Sequence, residues 1–309
     1  MKPPANLAAS VRQRLFNLAK TRGEELQLLL ARYGVERLLY RLSRTESREH
    51  FVLKGAVLFY VWDGEPHRPT RDVDFSAFGD PSTQAIADVF RTVCATEVEP
   101  DGLVFLPESV AVEPIRDRQE YGGVRVTLMA LLGSARIPLR VDVGFGDAIT
   151  PAPRVEMIPT LLDFPAPRVR AYPAETVVAE KFQAMVSLGV ANTRLKDFFD
   201  VWTLLQTREF DGAVLADAIE ATFRRRSTPI PTRAPLALTD AFGLDPEKRS
   251  QWARFLERSH ITDAPVLDDV VERIAGFVLP PALARSEAAT FAARWTPSRG
   301  WTPVPKPPQ

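Results

Sequence analysis

Arg71-Asp72-Val73-Asp74-Phe75 sets two carboxylates at alternate positions in a short apolar stretch. In a β-strand alternate residues share a face, so Asp72 and Asp74 project side by side while Val73 and Phe75 turn to a core. Two like charges this close repel unless a cation lies between them. A hard divalent ion such as Mg²⁺ takes carboxylate oxygens of this kind together with substrate phosphates. A strand terminus on a solvated face gives the same pattern, and D-x-D also marks metal-dependent glycosyltransferases that use nucleotide sugars. Leu139-Arg140-Val141-Asp142-Val143 repeats the alternation in a strongly β-prone run, where an unpaired carboxylate is unfavourable to bury. Asp142 either pairs with Arg140 or Arg125, or joins Asp72 and Asp74 as a third metal ligand or as the base.

Upstream, Phe51-Val52-Leu53 runs into Lys54-Gly55-Ala56 and then the apolar Val57-Leu58-Phe59. Glycine at a strand-to-helix turn lets backbone approach a ligand closely, and the free N–H groups of a helix start favour phosphate. A plain turn before a core helix reads the same way. In the second half, Lys181 lies at the margin of a helix whose apolar face is Phe182, Met185 and Val186. It is a solvated charge or ion pair, or an ammonium that meets the β- and γ-phosphates of a nucleotide. In Arg194-Leu195-Lys196-Asp197-Phe198-Phe199-Asp200, the two aspartates share a helix face at i, i+3. Acidic residues in a first turn favour the helix dipole, but Phe198, Phe199, Val201 and Trp202 pin this segment to a core. Arg224-Arg225-Arg226 is a solvated helix C-terminus or a contact to an RNA backbone. His50, His67 and His260 are scattered, with no ligand spacing.

These groups need a scaffold. Apolar residues at helical spacing predict helices across 7–45, with breaks at Gly23 and Gly34. Short β-rich runs follow at 51–53, 73–75, 103–106, 110–115, 124–132 and 137–145, interrupted by helical patterns at 54–63 and 82–96. Gly133-Ser134-Ala135-Arg136 reads as a hairpin turn. Prolines crowd 151–167 and predict an extended connector. From Pro173 the pattern is helical at 174–188, 194–206, 211–226, 246–258, 266–278 and 281–294. The expected organisation is an N-terminal helical segment (1–45), a mixed-sheet domain (46–168), a helical domain (169–295) and an extended Pro-rich tail (296–309). The fold class is α+β.

Thirty-nine basic residues balance thirty-nine acidic ones, which argues against a general nucleic-acid coat while leaving room for a local basic groove. The 45% hydrophobic and 25% charged content suits a globular chain rather than a disordered one. A single cysteine, Cys94, excludes an internal disulfide and a multi-cysteine zinc site. No apolar run nears the length of a membrane span, and the first twenty residues lack a secretory pattern. A cytoplasmic location with no membrane partner is expected.

Taken in order, Leu53-Lys54-Gly55-Ala56, Arg71-Asp72-Val73-Asp74, Arg140-Val141-Asp142-Val143, Ala179-Glu180-Lys181 and Lys196-Asp197-Phe198-Phe199-Asp200 resemble the AbiEii/AbiGii-type nucleotidyltransferase toxins. This MenT-like group has a polymerase-β-like catalytic fold. The resemblance spans about residues 50–205. It implies Mg²⁺ (or Mn²⁺) on Asp72 and Asp74, with Asp142 matching the later strand aspartate of the metal site. It also implies a nucleoside triphosphate at Lys54, Gly55, Ala56 and Lys181, with Asp197 as the helical-domain carboxylate needed for activity and Asp200 as its partner. The implied acceptor is the 3′ end of tRNA, with Arg224–Arg226 or Arg168 and Arg170 near its backbone, and a cognate antitoxin is the implied protein partner. Ala56 stands where the family commonly has Ser or Thr, so only backbone N–H remains there for phosphate. A degenerate, non-catalytic binding module is the reading that this alanine favours.

Overall fold

Strand alternation between 103 and 145 builds one side of the sheet in the first of two units. A computed structural model describes residues 6–64, 68–70, 72–115 and 122–304; His67 and Arg71 lie outside them. The chain divides into Met1–Gly146 with Arg154–Ala171, and Asp147–Pro153 with Tyr172–Gln309.

The first unit contains α1 (Leu7–Arg22), α2 (Leu26–Ser43), β1 (Phe51–Lys54), α3 (Val57–Asp63), β2 (Asp72–Ala77), α4 (Thr83–Ala95), β3 (Leu103–Ile115), β4 (Gly123–Leu132), β5 (Ala135–Phe145), β6 (Arg154–Met157) and β7 (Arg168–Ala171). Seven strands form one sheet in the order β3-β4-β5-β2-β1-β7-β6. The β2–β5 and β1–β7 pairs are parallel and the others antiparallel, so the sheet is mixed and the class is α+β. The runs at 103–106 and 110–115 are one strand, whose register to β4 shifts between Leu106 and Ala111. The proline-rich stretch is not simply a connector, because it supplies β6 at the sheet edge, where proline-flanked strands are tolerated.

Helix boundaries follow local chemistry. The Asn6 side chain accepts from Ala9 N–H at the start of α1, and Gly23, at φ 66°, ends it. Gly34 breaks nothing. It lies inside α2, where a Cβ would meet Leu139 Cδ2 at 3.1 Å and Ile137 Cγ2 at 3.2 Å, so close packing on β5 explains it. On the buried side, Phe51 meets Phe75 and Phe90 edge-on at 5.5 and 5.8 Å, each pair adding about 0.5–1.5 kcal/mol beyond area burial. Arg41 grips Asp101 through two bonds of 2.7 and 3.2 Å, and Arg37 donates to the Pro165 carbonyl. Glu36 accepts from Leu161 N–H at 2.7 Å. Burial pushes its carboxyl up to about 7, against the opposing pull of that bond and of Arg37.

The second unit contains α5 (Ala174–Leu188), α6 (Leu195–Thr207), β8 (Phe210–Asp211), α7 (Gly212–Arg225), α8 (Asp240–Gly243), α9 (Pro246–Arg258), α10 (Leu267–Ser286), β9 (Ala293–Thr296) and β10 (Gly300–Pro303). Asp211 and Asp245 cap α7 and α9 through their carboxylates. α10 packs on α6, α7 and α8 and runs unbroken through Pro280 and Pro281, where two helices were expected. Proline lacks an N–H, so Pro281 cannot serve the carbonyl four residues back. That carbonyl belongs to Phe277, and the Trp301 indole N–H donates to it at 2.9 Å. The tail is thereby a pinned hairpin: β10 pairs with β9, which in turn pairs with β8, and buried Trp295 donates to the Leu205 carbonyl at 2.8 Å. Among the described residues no helix is long and apolar enough to cross a membrane.

Candidate functional site

In the first unit one row of side chains crosses four strands. Lys54 pairs in register with Asp74, Asp74 with Asp142, and Asp142 with Arg125. Register partners point to the same face, so β1, β2, β5 and β4 bring these four charges into line. Val73 and Phe75 are fully buried, while Asp72 and Asp74 are half-buried. Asp72 faces Arg140, its own register partner, at 3.7 Å.

The two strongest motifs touch. Gly55 turns with φ +77°, and a Cβ there would lie 2.8 Å from Asp74 Cγ and closer still to Oδ2. The Asp74 carboxylate therefore sits against the Gly55 backbone, and glycine is the residue that leaves it room. Ala56 is buried at the start of α3, with no side-chain cap on that helix. Asp142 is committed elsewhere: Arg125 Nε donates to Oδ1 and Nη2 to Oδ2, both at 2.8 Å. Hydrogen bonding to Asp142 raises the Arg125 pKa further, against its own desolvation.

In the second unit α5 and α6 assemble a buried ionic cluster. Lys181 Nζ lies 2.7 Å from both Asp197 Oδ1 and Asp200 Oδ2, and Arg194 Nε is 3.3 Å from Asp197 Oδ2. Asp200 is 1% and Asp197 4% exposed, so two anions are held out of water by two cations. Burial alone disfavours the ammonium, but the two carboxylates more than offset it and the Lys181 pKa is raised. Lys181 is thus no marginal surface charge. It is a fixed, protonated cation.

The arginine run splits. Arg224 is exposed, with Glu220 3.9 Å away, and Arg225 is exposed beside it. Arg226 turns inward: Nη1 donates to Gln183 Oε1 at 2.9 Å, and Nη2 lies 3.3 Å from Glu180 and 3.7 Å from Asp147. The Tyr172 hydroxyl also meets Asp147 and Glu180, at 3.0 and 3.3 Å. No spacing in the sequence signals this network, since its members come from four separate segments. In the first unit, Arg168 is exposed, and Arg170 donates to the Glu49 carbonyl.

Asp72 and Asp74 supply hard oxygens from adjacent same-face positions, a donor set that suits Mg²⁺ completed by water and phosphate. No group of three or more His, Cys, Asp or Glu side chains among the described residues is placed to hold an ion. The candidate site thus comprises paired carboxylates on the mixed sheet of the first unit and a lysine–aspartate cluster on helices of the second. Residues 37–273, well over half the chain, fit the family described as nucleotidyl transferase AbiEii toxin, type IV toxin–antitoxin system, and the chain belongs to that family. Two Helicobacter pylori crystal structures are similar at 16% identity. One, titled as a candidate nucleotidyltransferase, covers 82% of this chain and 92% of its own at a TM-score of 0.44. The other, JHP933, covers 82% and 90% at 0.47. No curated protein matches the sequence.

Proposed function

We propose that this nucleotidyltransferase is the toxin of a bacterial toxin–antitoxin pair. It transfers a nucleoside monophosphate from a nucleoside triphosphate to the 3′ end of tRNA in the cytoplasm and is restrained by a cognate antitoxin. The observation that carries the reading is the Asp74 carboxylate seated on Gly55, which joins the strand carboxylates to the Lys54-Gly55-Ala56 turn in one place. Asp72 and Asp74 would hold Mg²⁺ or Mn²⁺, which when bound lowers the pKa of the attacking hydroxyl and neutralises charge on the leaving oxygens. The Gly55-Ala56 backbone offers close approach to phosphate without a side-chain hydroxyl.

Lys181 serves the pyrophosphate. An ammonium has three N–H donors. Asp197 and Asp200 take two of them and keep the group charged, and in this reading the third serves phosphate. Asp197 acts on the reaction through Lys181, as a positioning residue, and Asp200 braces it. Arg224 and Arg225 are the members of the basic run that remain exposed for an RNA backbone.

Parallel incubations with α- and γ-labelled triphosphates and total tRNA test the reading. Alpha label at RNA 3′ ends, lost in Asp72→Ala, supports it. Gamma label on any acceptor, or no labelled RNA from folded protein, overturns it. Sequencing RNA 3′ ends after brief expression identifies the acceptor.

A further inference from the structure

Asp142 stands in register with Asp74 on a neighbouring strand. Adjacent strands lie about 4.8 Å apart, so two carboxylates so placed can share one ion only if their oxygens turn toward each other. Those of Asp142 turn the other way. β4 lies on the far side of β5 from β2, and there Arg125 takes both oxygens at 2.8 Å. A two-pronged guanidinium–carboxylate pair of this length is the strongest of its class, and its planar fork fixes the carboxylate's orientation. The pair is partly shielded, with side-chain exposures of 32% and 22%. Asp72, by contrast, lies 3.7 Å from Arg140, a looser contact with both partners more exposed. Asp142 is neutralised by a matched arginine, while the Asp72–Arg140 contact is looser and more exposed.

We propose that Asp142 is not a metal ligand in this chain. Arg125 and Asp142 form a charge-neutral strut across β4 and β5, and the divalent ion rests on Asp72 and Asp74 with phosphate and water. Arg125 is then a positioning residue. It withholds the third carboxylate, and it also keeps that carboxylate's negative charge from being left uncompensated beside Asp74. The inference rests on the reading of Asp72 and Asp74 as the ion-holding pair.

The test is a Mn²⁺ titration of the full chain, read as loss of the free-ion signal in electron paramagnetic resonance. It is run with and without a triphosphate that cannot be cleaved at the α–β bridge. Replacing both members of the strut removes one positive and one negative charge together, so the local net charge is unchanged. Arg125→Met with Asp142→Asn is expected to bind Mn²⁺ within threefold of the wild type. Arg125→Met alone, which frees the carboxylate, is expected to bind several-fold more tightly. A tenfold or greater loss in the double variant overturns the inference, because Asp142 then contributes directly to the ion. Unchanged or weaker binding in Arg125→Met overturns it too. Asp72→Asn with Asp74→Asn separates the two failures: if that variant binds as the wild type does, the ion-holding pair is wrong and the inference falls with it. Should the first double variant melt early, Arg125→Thr with Asp142→Thr supplies a second neutral pair suited to facing strand positions.

Discussion

Gly55→Ala tests whether the turn and the strand carboxylate are truly one construction. The residue has φ +77°, and alanine in the left-handed region costs about 1–2 kcal/mol. Its methyl would also meet Asp74 Cγ at 2.8 Å and Cβ at 3.0 Å, with Oδ2 closer still. Because β2 is clamped between β1 and β5, the carboxylate must rotate or its strand must shift, at about 1–3 kcal/mol. The expected destabilisation is therefore about 2–5 kcal/mol. Displacing a reacting group by an ångström also costs on the order of a hundredfold in rate. Urea unfolding of Gly55→Ala in wild-type and Asp74→Ala backgrounds isolates the contact. Asp74→Ala removes Cγ and both oxygens, so the cost of the added methyl should fall toward its backbone part, a coupling of at least about 1 kcal/mol. An equal cost in both backgrounds would mean that Asp74 does not occupy that space and that the two motifs are joined only in sequence.

Lys181→Met leaves Asp197 and Asp200 buried without their shared cation, and should lower stability by about 3–5 kcal/mol as well as abolish transfer; adding Asp200→Asn should restore part of the stability and none of the transfer. Glu36 holds its proton to about pH 7 in the folded chain against 4.5 for an unperturbed group. The folded state therefore binds the extra proton between those limits, and stability falls as pH rises from 4.5 to 7 by up to about 3 kcal/mol. Glu36→Gln should flatten that part of the melting-temperature profile relative to wild type. Trp301→Phe strips the donor from the Phe277 carbonyl and should cost about 1–3 kcal/mol in chemical denaturation. Arg226→Ala should destabilise by a similar amount while Arg224→Ala with Arg225→Ala changes stability by under about 0.5 kcal/mol; the opposite ranking in thermal melts would contradict the inward placement of Arg226.

Where local chemistry and packing agree, the sequence was readable. The apolar face of Phe182, Met185 and Val186 and the position of Pro173 delimit α5 at 174–188, and the structure has Ala174–Leu188. The alternation in Asp72–Phe75 predicts the buried and half-buried faces that β2 shows. Tertiary partners hid the rest. Gly34 looks like a helix break until Leu139 and Ile137 are seen pressing on it. Pro280-Pro281 looks like a helix end unless a tryptophan some twenty residues on is known to replace the missing donor. Lys181 sits beside apolar neighbours in the sequence as a surface lysine would, and only the packing of α6 on α5 shows it largely covered and paired with Asp197 and Asp200. Asp142 had two arginines within reach of its strand, and cross-strand register selects Arg125.

The four-residue strand β1, which carries Lys54 into the Gly55 turn, has β2 on one flank and β7 on the other. β7 is made from residues 168–171, after the chain has left the first unit and returned to it. A fragment ending at Gly146 would therefore expose one whole side of β1 as raw, unpaired backbone, a template for self-association. Any excised catalytic piece must carry Arg154–Ala171 along, and ribosomal synthesis cannot complete the cradle around Gly55 until that late segment has emerged.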